Sequence, residues 1–171
     1  MKNFKEKLMD VKAFAFDVDG VLSHTVVPMF PNGEPMRMAN IKDGYALQLA
    51  VKLGYKIAII TGGNTEAVRT RYAALGITDI YMGRSSKLAT YYEWRDAHQL
   101  TDEQIVYVGD DMPDLPILKH VGIPTCPADA CHDVKQACQY ISPYTGGNSC
   151  VRDIIEQVLR AQNNWGIDLT W

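Results

Sequence analysis

Short apolar runs alternate with longer amphipathic stretches along the whole chain. The strand-like runs are Ala13 to Phe16, Lys56 to Ile60, Asp79 to Met82, Ile105 to Val108 and Ile123 to Cys126, with a shorter one at Tyr140 and Ile141. Helical patterning lies between them, near 44–53, 65–75, 86–98, 113–121, 131–138 and 150–162. This alternation predicts βα units and a parallel sheet. Asp43 is placed to cap a helix starting near Gly44. Gly54 and Gly76 suit helix C-termini, where a left-handed residue is favoured. Thr101, three residues before Gln104, forms a capping box for a short turn ahead of Ile105.

One segment breaks the rhythm. Residues 22–41 stand where a helix is due, and Asn32-Gly33 between two apolar stretches is a hairpin signal. Pro28, Pro31 and Pro35 keep this segment out of the middle of a sheet. The expectation is a projecting β-flap. Its apolar residues Val26, Val27, Met29, Phe30, Met36 and Met38 exceed what a solvated hairpin shows. A tail at about 163–171 carries Trp165 and Trp171. Both segments suggest burial against another copy of the chain, with folding back on the same subunit as the alternative.

Composition narrows the class without identifying it. The 171 residues fit one domain with a full core. A net charge of -3 gives no broad positive field for nucleic acid or anionic lipid. No apolar run is long enough to span a bilayer, and the charged start lacks a signal-peptide core. A cytoplasmic protein is expected. Cys126, Cys131, Cys138 and Cys150 form no Cys-x-x-Cys pair and are expected to be reduced.

The chemistry gathers after the strand-like runs. Asp17-Val18-Asp19-Gly20 follows the first, and sites in parallel sheets form at the carboxyl ends of strands. Two carboxylates there repel unless a cation joins them, although Asp-x-Asp-Gly alone also fits a surface turn. Thr61-Gly62-Gly63-Asn64 ends the second run, offering a hydroxyl and backbone N–H groups to a phosphate. Lys87 follows the third and suits negative charge on phosphoryl oxygens. Gly109-Asp110-Asp111-Met112-Pro113-Asp114 follows the fourth, with hard oxygen ligands of the kind magnesium prefers. Asp111 also suits a helix N-cap with Pro113 in the first turn.

In that order the four clusters resemble the motif set of the haloacid dehalogenase superfamily of phosphatases, over residues 13–114. The resemblance implies a three-layer α/β/α Rossmann-like fold. With no room for a cap domain, the chain looks like the superfamily's capless class. Ile41-Lys42-Asp43-Gly44, Asp79-Ile80-Tyr81-Met82-Gly83 and the late Gly146-Gly147-x-x-x-Val151-Arg152 extend the likeness to nearly the whole chain. They resemble the family of 3-deoxy-D-manno-octulosonate 8-phosphate phosphatases.

By that resemblance Asp17 is the nucleophile and Asp19 the general acid and base. Magnesium is held by Asp17, the Asp19 backbone carbonyl and Asp110. Asp111 and Asp114 are outer partners, and Thr61 and Lys87 cover the phosphoryl oxygens. The substrate is a small sugar-acid phosphate, and the assembly is a homotetramer. Many relatives carry Arg directly after Thr-Gly, and those acting on nine-carbon keto-deoxy sugar phosphates often carry Glu. Here Gly63 and Asn64 follow, leaving Arg84 or Arg71 as the candidate cation. A nine-carbon or broad sugar-phosphate phosphatase stays open. A phospho-receiver domain is disfavoured by Asp19, and a non-catalytic binding module by the presence of all four motifs.

Overall fold

The computed structural model describes residues 2–166 of the chain. It contains a six-stranded, wholly parallel sheet: β1 (Ala13–Phe16), β2 (Lys56–Ile60), β3 (Asp79–Tyr81), β4 (Ile105–Val108), β5 (Ile123–Cys126) and β6 (Tyr140–Ile141), in the order β3-β2-β1-β4-β5-β6. The helices are α1 (Phe4–Lys7), α2 (Ile41–Lys52), α3 (Glu66–Ala73), α4 (Lys87–Ala97), α5 (Leu115–Leu118), α6 (His132–Ala137) and α7 (Cys150–Ala161).

Alternation along β1 divides the core in two. Phe14 and Phe16 join Ile57, Ile59, Val106 and Val108 against the buried faces of α2, α3 and α7. Ala13 and Ala15 face the other way with Ala58, Ile60 and Ile105, where Tyr91 and Trp94 of α4 pack with Ile117 and Val134. Small strand residues on that face leave room for the two large rings. Both faces of β1 and β4 are fully buried, as expected of a parallel sheet covered on each side.

Three helical segments differ in detail from the sequence-based expectation. α2 begins at Ile41, because Asn40 accepts from the N–H groups of Lys42 (2.8 Å) and Asp43 (3.1 Å). Asp43 is therefore inside the first turn of α2 and does not cap it. Its carboxylate crosses to α7 and accepts the Arg152 N–H at 2.8 Å, tying together two helices that pack on one sheet face. Burial pushes the Asp43 carboxyl up to about 6, partly opposed by N–H donors of Arg152 and Ser149. The helix expected over 113–121 is a 3-10 turn, Met112–Asp114, followed by the short α5. α1 went unrecognised in the sequence, since four residues are too few for a periodic signal.

Residues 22–41 form a hairpin with a single antiparallel bridge, Met29 to Pro35. The Phe30 carbonyl accepts from Gly33 N–H at 2.8 Å, so the turn spans 30–33 and is centred on Pro31-Asn32, one residue before the Asn32-Gly33 pair. Three prolines remove ladder donors and keep the pairing short. Trp165 packs on its own chain, edge-on to Tyr45 and beneath Arg152 and Arg160. Trp171 lies outside the described residues.

Candidate active site

β1 is the strand at which the sheet reverses its build direction, with β2 on one side and β4 on the other. Chains leave such neighbouring strands in opposite directions and open a crevice at their carboxyl ends. An open cleft of about 390 Å³ occupies that position, and its walls include Asp17, Asp19, Thr61, Gly62, Gly63, Lys87, Asp110 and Asp111. Four segments separated in sequence therefore meet at one place, each just after a strand or at a helix start.

Lys87, the first residue of α4, organises the floor. Its ammonium lies 2.9 Å from Asp17 Oδ1 and donates to Asp114 Oδ1 at 2.8 Å. Burial alone would lower its pKa, and the facing Asp17 and Asp114 reverse that, so the ammonium titrates above its usual range. Asp114 is fully buried and receives three further donors: the Tyr107 hydroxyl at 2.7 Å, and the N–H groups of Asp110 (3.0 Å) and Asp111 (3.4 Å). Asp111 accepts from Met112 N–H at 2.8 Å, the capping role its sequence position suggested. Thr61 is buried, and its hydroxyl accepts the Gly63 N–H at 3.1 Å.

Asp17, Asp110 and Asp114 each offer an oxygen within 4.8 Å of the others. Asp114 is committed to its four donors, which leaves Asp17 and Asp110 with oxygens to give. Burial, then the charge of Asp114, pushes the Asp17 carboxyl up to about 8 against the pull of Lys87. Burial, then Asp114 and Asp111, pushes Asp110 up to about 7. Carboxylates raised in this way are what a divalent cation stabilises in ionised form. The donors are hard oxygens, so the residues fit magnesium. Gly20 makes the approach possible: its φ is +83°, and a Cβ there would lie 1.9 Å from Asp110 Oδ2.

The other residues singled out in the sequence fall elsewhere. Asn64 sits beside Gly83 and does not line the cleft. Arg84 lies over the Tyr81 ring, 5.4 Å from its centroid. Arg71 lies over Gly44, in an apolar hollow beneath the flap that Arg37 also lines. Neither arginine is brought to the cleft.

The cation found beside the cleft is Arg37, which sequence reasoning missed. Its Nε and Nη2 donate to the two oxygens of Asp19, at 2.8 Å and 2.9 Å. Nη1 donates to the Thr65 hydroxyl at 2.7 Å, and Thr65 in turn donates to Glu34. Arg37 is the only lysine or arginine in residues 22–41, set between Met36 and Met38. That lone basic residue in an apolar flap is the available signal.

The comparisons with known proteins agree with this geometry. Residues 73–154 match the family model of haloacid dehalogenase-like hydrolases. The chain is 35% identical over 156 residues to 3-deoxy-D-manno-octulosonate 8-phosphate phosphatase KdsC of Escherichia coli K12, covering 91% of this chain and 83% of that one. Its fold matches the crystal structure of the phosphatase of that name from Yersinia pestis, with TM-score 0.89, 32% identity, and coverage of 94% of this chain and 86% of that one. It also matches the Moraxella catarrhalis enzyme in complex with magnesium, phosphate and KDO, with TM-score 0.89, 33% identity, and coverage of 94% and 92%. The chain belongs to the haloacid dehalogenase-like hydrolases, in the family of 3-deoxy-D-manno-octulosonate 8-phosphate phosphatases.

Proposed function

We propose that the chain is a magnesium-dependent phosphatase that hydrolyses 3-deoxy-D-manno-octulosonate 8-phosphate through a phosphoryl group carried on Asp17. The observation that carries this reading is the joining of Asp17, Lys87, Asp114 and Asp110 at the end of β1, with Asp19 two residues from Asp17. Asp17, the Asp19 backbone carbonyl and Asp110 would hold the magnesium, which when bound screens the repulsion between Asp17 and the phosphate dianion.

An Asp17 carboxylate oxygen forms a bond to phosphorus as the bond to the sugar oxygen breaks. Asp19 delivers a proton to that leaving oxygen, then takes one from the water that attacks the acyl phosphate. The Thr61 hydroxyl and the Gly62 N–H receive the phosphoryl oxygens on one side, and the Lys87 ammonium on another. Asp114 keeps Lys87 aimed at Asp17, and Asp111 fixes the turn that presents Asp110.

Turnover of the eight-carbon sugar acid phosphate, a nine-carbon analogue and p-nitrophenyl phosphate, compared by kcat/KM, tests the assignment. The eight-carbon ester is expected to lead by at least about tenfold, the equivalent of one good polar contact. A lead for the nine-carbon ester transfers the assignment to that substrate. Activity is expected to vanish on chelation and to return with magnesium better than with calcium, which prefers looser, higher coordination. Full activity after exhaustive chelation would remove the metal from the proposal.

The same reading makes the protein a cytoplasmic homotetramer. In its support, no helix among the described residues is long and apolar enough to cross a membrane. The flap also presents Val26 and Met29 with relative exposures of 88% and 72%, a surface that another copy would cover. Light scattering at micromolar concentration tests it, and a fully active monomer refutes it.

A further inference from the structure

We propose that Arg37 reads the carboxylate of the substrate, and that its grip on Asp19 is a lock which an acidic substrate opens by exchange. This rests on the phosphatase reading above and names the group that makes the site selective for phosphorylated acids. A guanidinium forks two parallel N–H donors onto one carboxylate, and Asp19 occupies both prongs. Asp19 lines the cleft, yet each of its oxygens already accepts an Arg37 N–H, so the acid is engaged when the ester oxygen of a substrate must depart.

The two partners are held unequally. The Arg37 side chain is only 12% exposed and has a second anchor on Thr65, whereas the Asp19 side chain is 49% exposed. The guanidinium is thus the fixed member and the carboxylate the movable one. A substrate carboxylate has the same shape and charge as the group it replaces. It can take the fork while Asp19 turns toward the leaving oxygen. An ester without a carboxylate has nothing to exchange and meets a site whose acid is engaged elsewhere.

Gly63 is what lets Arg37 occupy this position. A Cβ on residue 63 would lie 2.6 Å from Arg37 Nη2, in space the guanidinium fills. Among the described residues the cation that lines the cleft, Lys87, is committed to Asp17 and Asp114, while Arg37 stands at its edge through Asp19. Arg37 is therefore the group beside the cleft able to recognise a second anion on a substrate whose phosphate lies at Asp17.

The test compares the sugar acid 8-phosphate with p-nitrophenyl phosphate, which has no carboxylate, in three variants. Arg37→Ala is expected to lower kcat/KM for the sugar acid phosphate about 10- to 100-fold, mostly through KM, the worth of a charge-assisted pair. For p-nitrophenyl phosphate it is expected to raise kcat a few-fold, because Asp19 is released. Arg37→Lys keeps the charge and loses the fork, and should fall between. Gly63→Ala displaces Arg37 without removing it, and its contact is the flexible end of a side chain, so the chain should fold and lose selectivity like Arg37→Ala. Equal losses on both esters would make Arg37 a structural support of Asp19 and overturn the proposal, and so would unchanged selectivity in Arg37→Ala or Gly63→Ala. Failure of the wild type to hydrolyse either ester would instead overturn the phosphatase reading.

Discussion

Replacing Asp17 with asparagine is expected to lower kcat by roughly four orders of magnitude or more, the scale seen when a covalent nucleophile is lost. The substitution is nearly isosteric. The side-chain oxygen can still accept the Val18 N–H, which donates to Asp17 Oδ1 at 2.7 Å. Lys87 keeps its contact with Asp114. Burial already disfavours charge at position 17, so a neutral amide there should leave the fold in place. Chemical denaturation alongside steady-state turnover separates the two effects. A variant with near-normal kcat in magnesium would show that another group attacks phosphorus.

Asp114→Ala is expected to cost about 3–5 kcal/mol of folding stability, the range for removing one partner of a buried ion pair. The loss follows from the number of donors left behind. The Tyr107 hydroxyl is buried, Lys87 loses one of its two carboxylates, and the N–H groups of Asp110 and Asp111 lose their acceptor. Asparagine should recover only part of this. The carboxylate accepts on both oxygens, so the amide nitrogen must point at a donor wherever it turns, costing about 1–3 kcal/mol. Denaturant midpoints for the two variants measure the difference. A loss below about 1 kcal/mol in Asp114→Ala would mean that the site relaxes around the gap and that Asp114 is not its support.

The strands were legible because a doubly covered parallel sheet writes them as nearly continuous apolar runs, and β1, β2, β4 and β5 begin and end where the pattern places them. The clustering of Asp17, Thr61, Lys87 and Asp110 was legible for a related reason. In a parallel sheet every strand ends on the same side, so residues just after the strands must meet. What sequence could not show was the side-chain traffic between segments. Asp43 has every local mark of a cap for its own helix, yet it serves α7, because Asn40 takes the nearer post. Arg37 belongs to no repeating pattern. Its partners, Asp19 and Thr65, lie 18 and 28 residues away, and only the hairpin's path brings it to them. The vacancy at Gly63 is visible in sequence, but nothing local to it names Arg37 as the side chain that fills the space.

The strand order also dictates when this chain can become a protein during its own synthesis. β1 is made early and sits at the centre, paired with β2 on one edge and β4 on the other, where Ala13 lies opposite Ile105. Until the ribosome has released β4, the backbone of Ala13–Phe16 keeps one edge without its partner, although α2, α3 and α4 are already made and can cover its two faces. An unpaired apolar edge of that kind is a template for association with other chains. The arrangement that places Asp17 at the crevice thus obliges the nascent polypeptide to carry an apolar strand with one edge open until β4 has been made. The apolar face of α7 joins that cover later still, after β4 has closed the open edge.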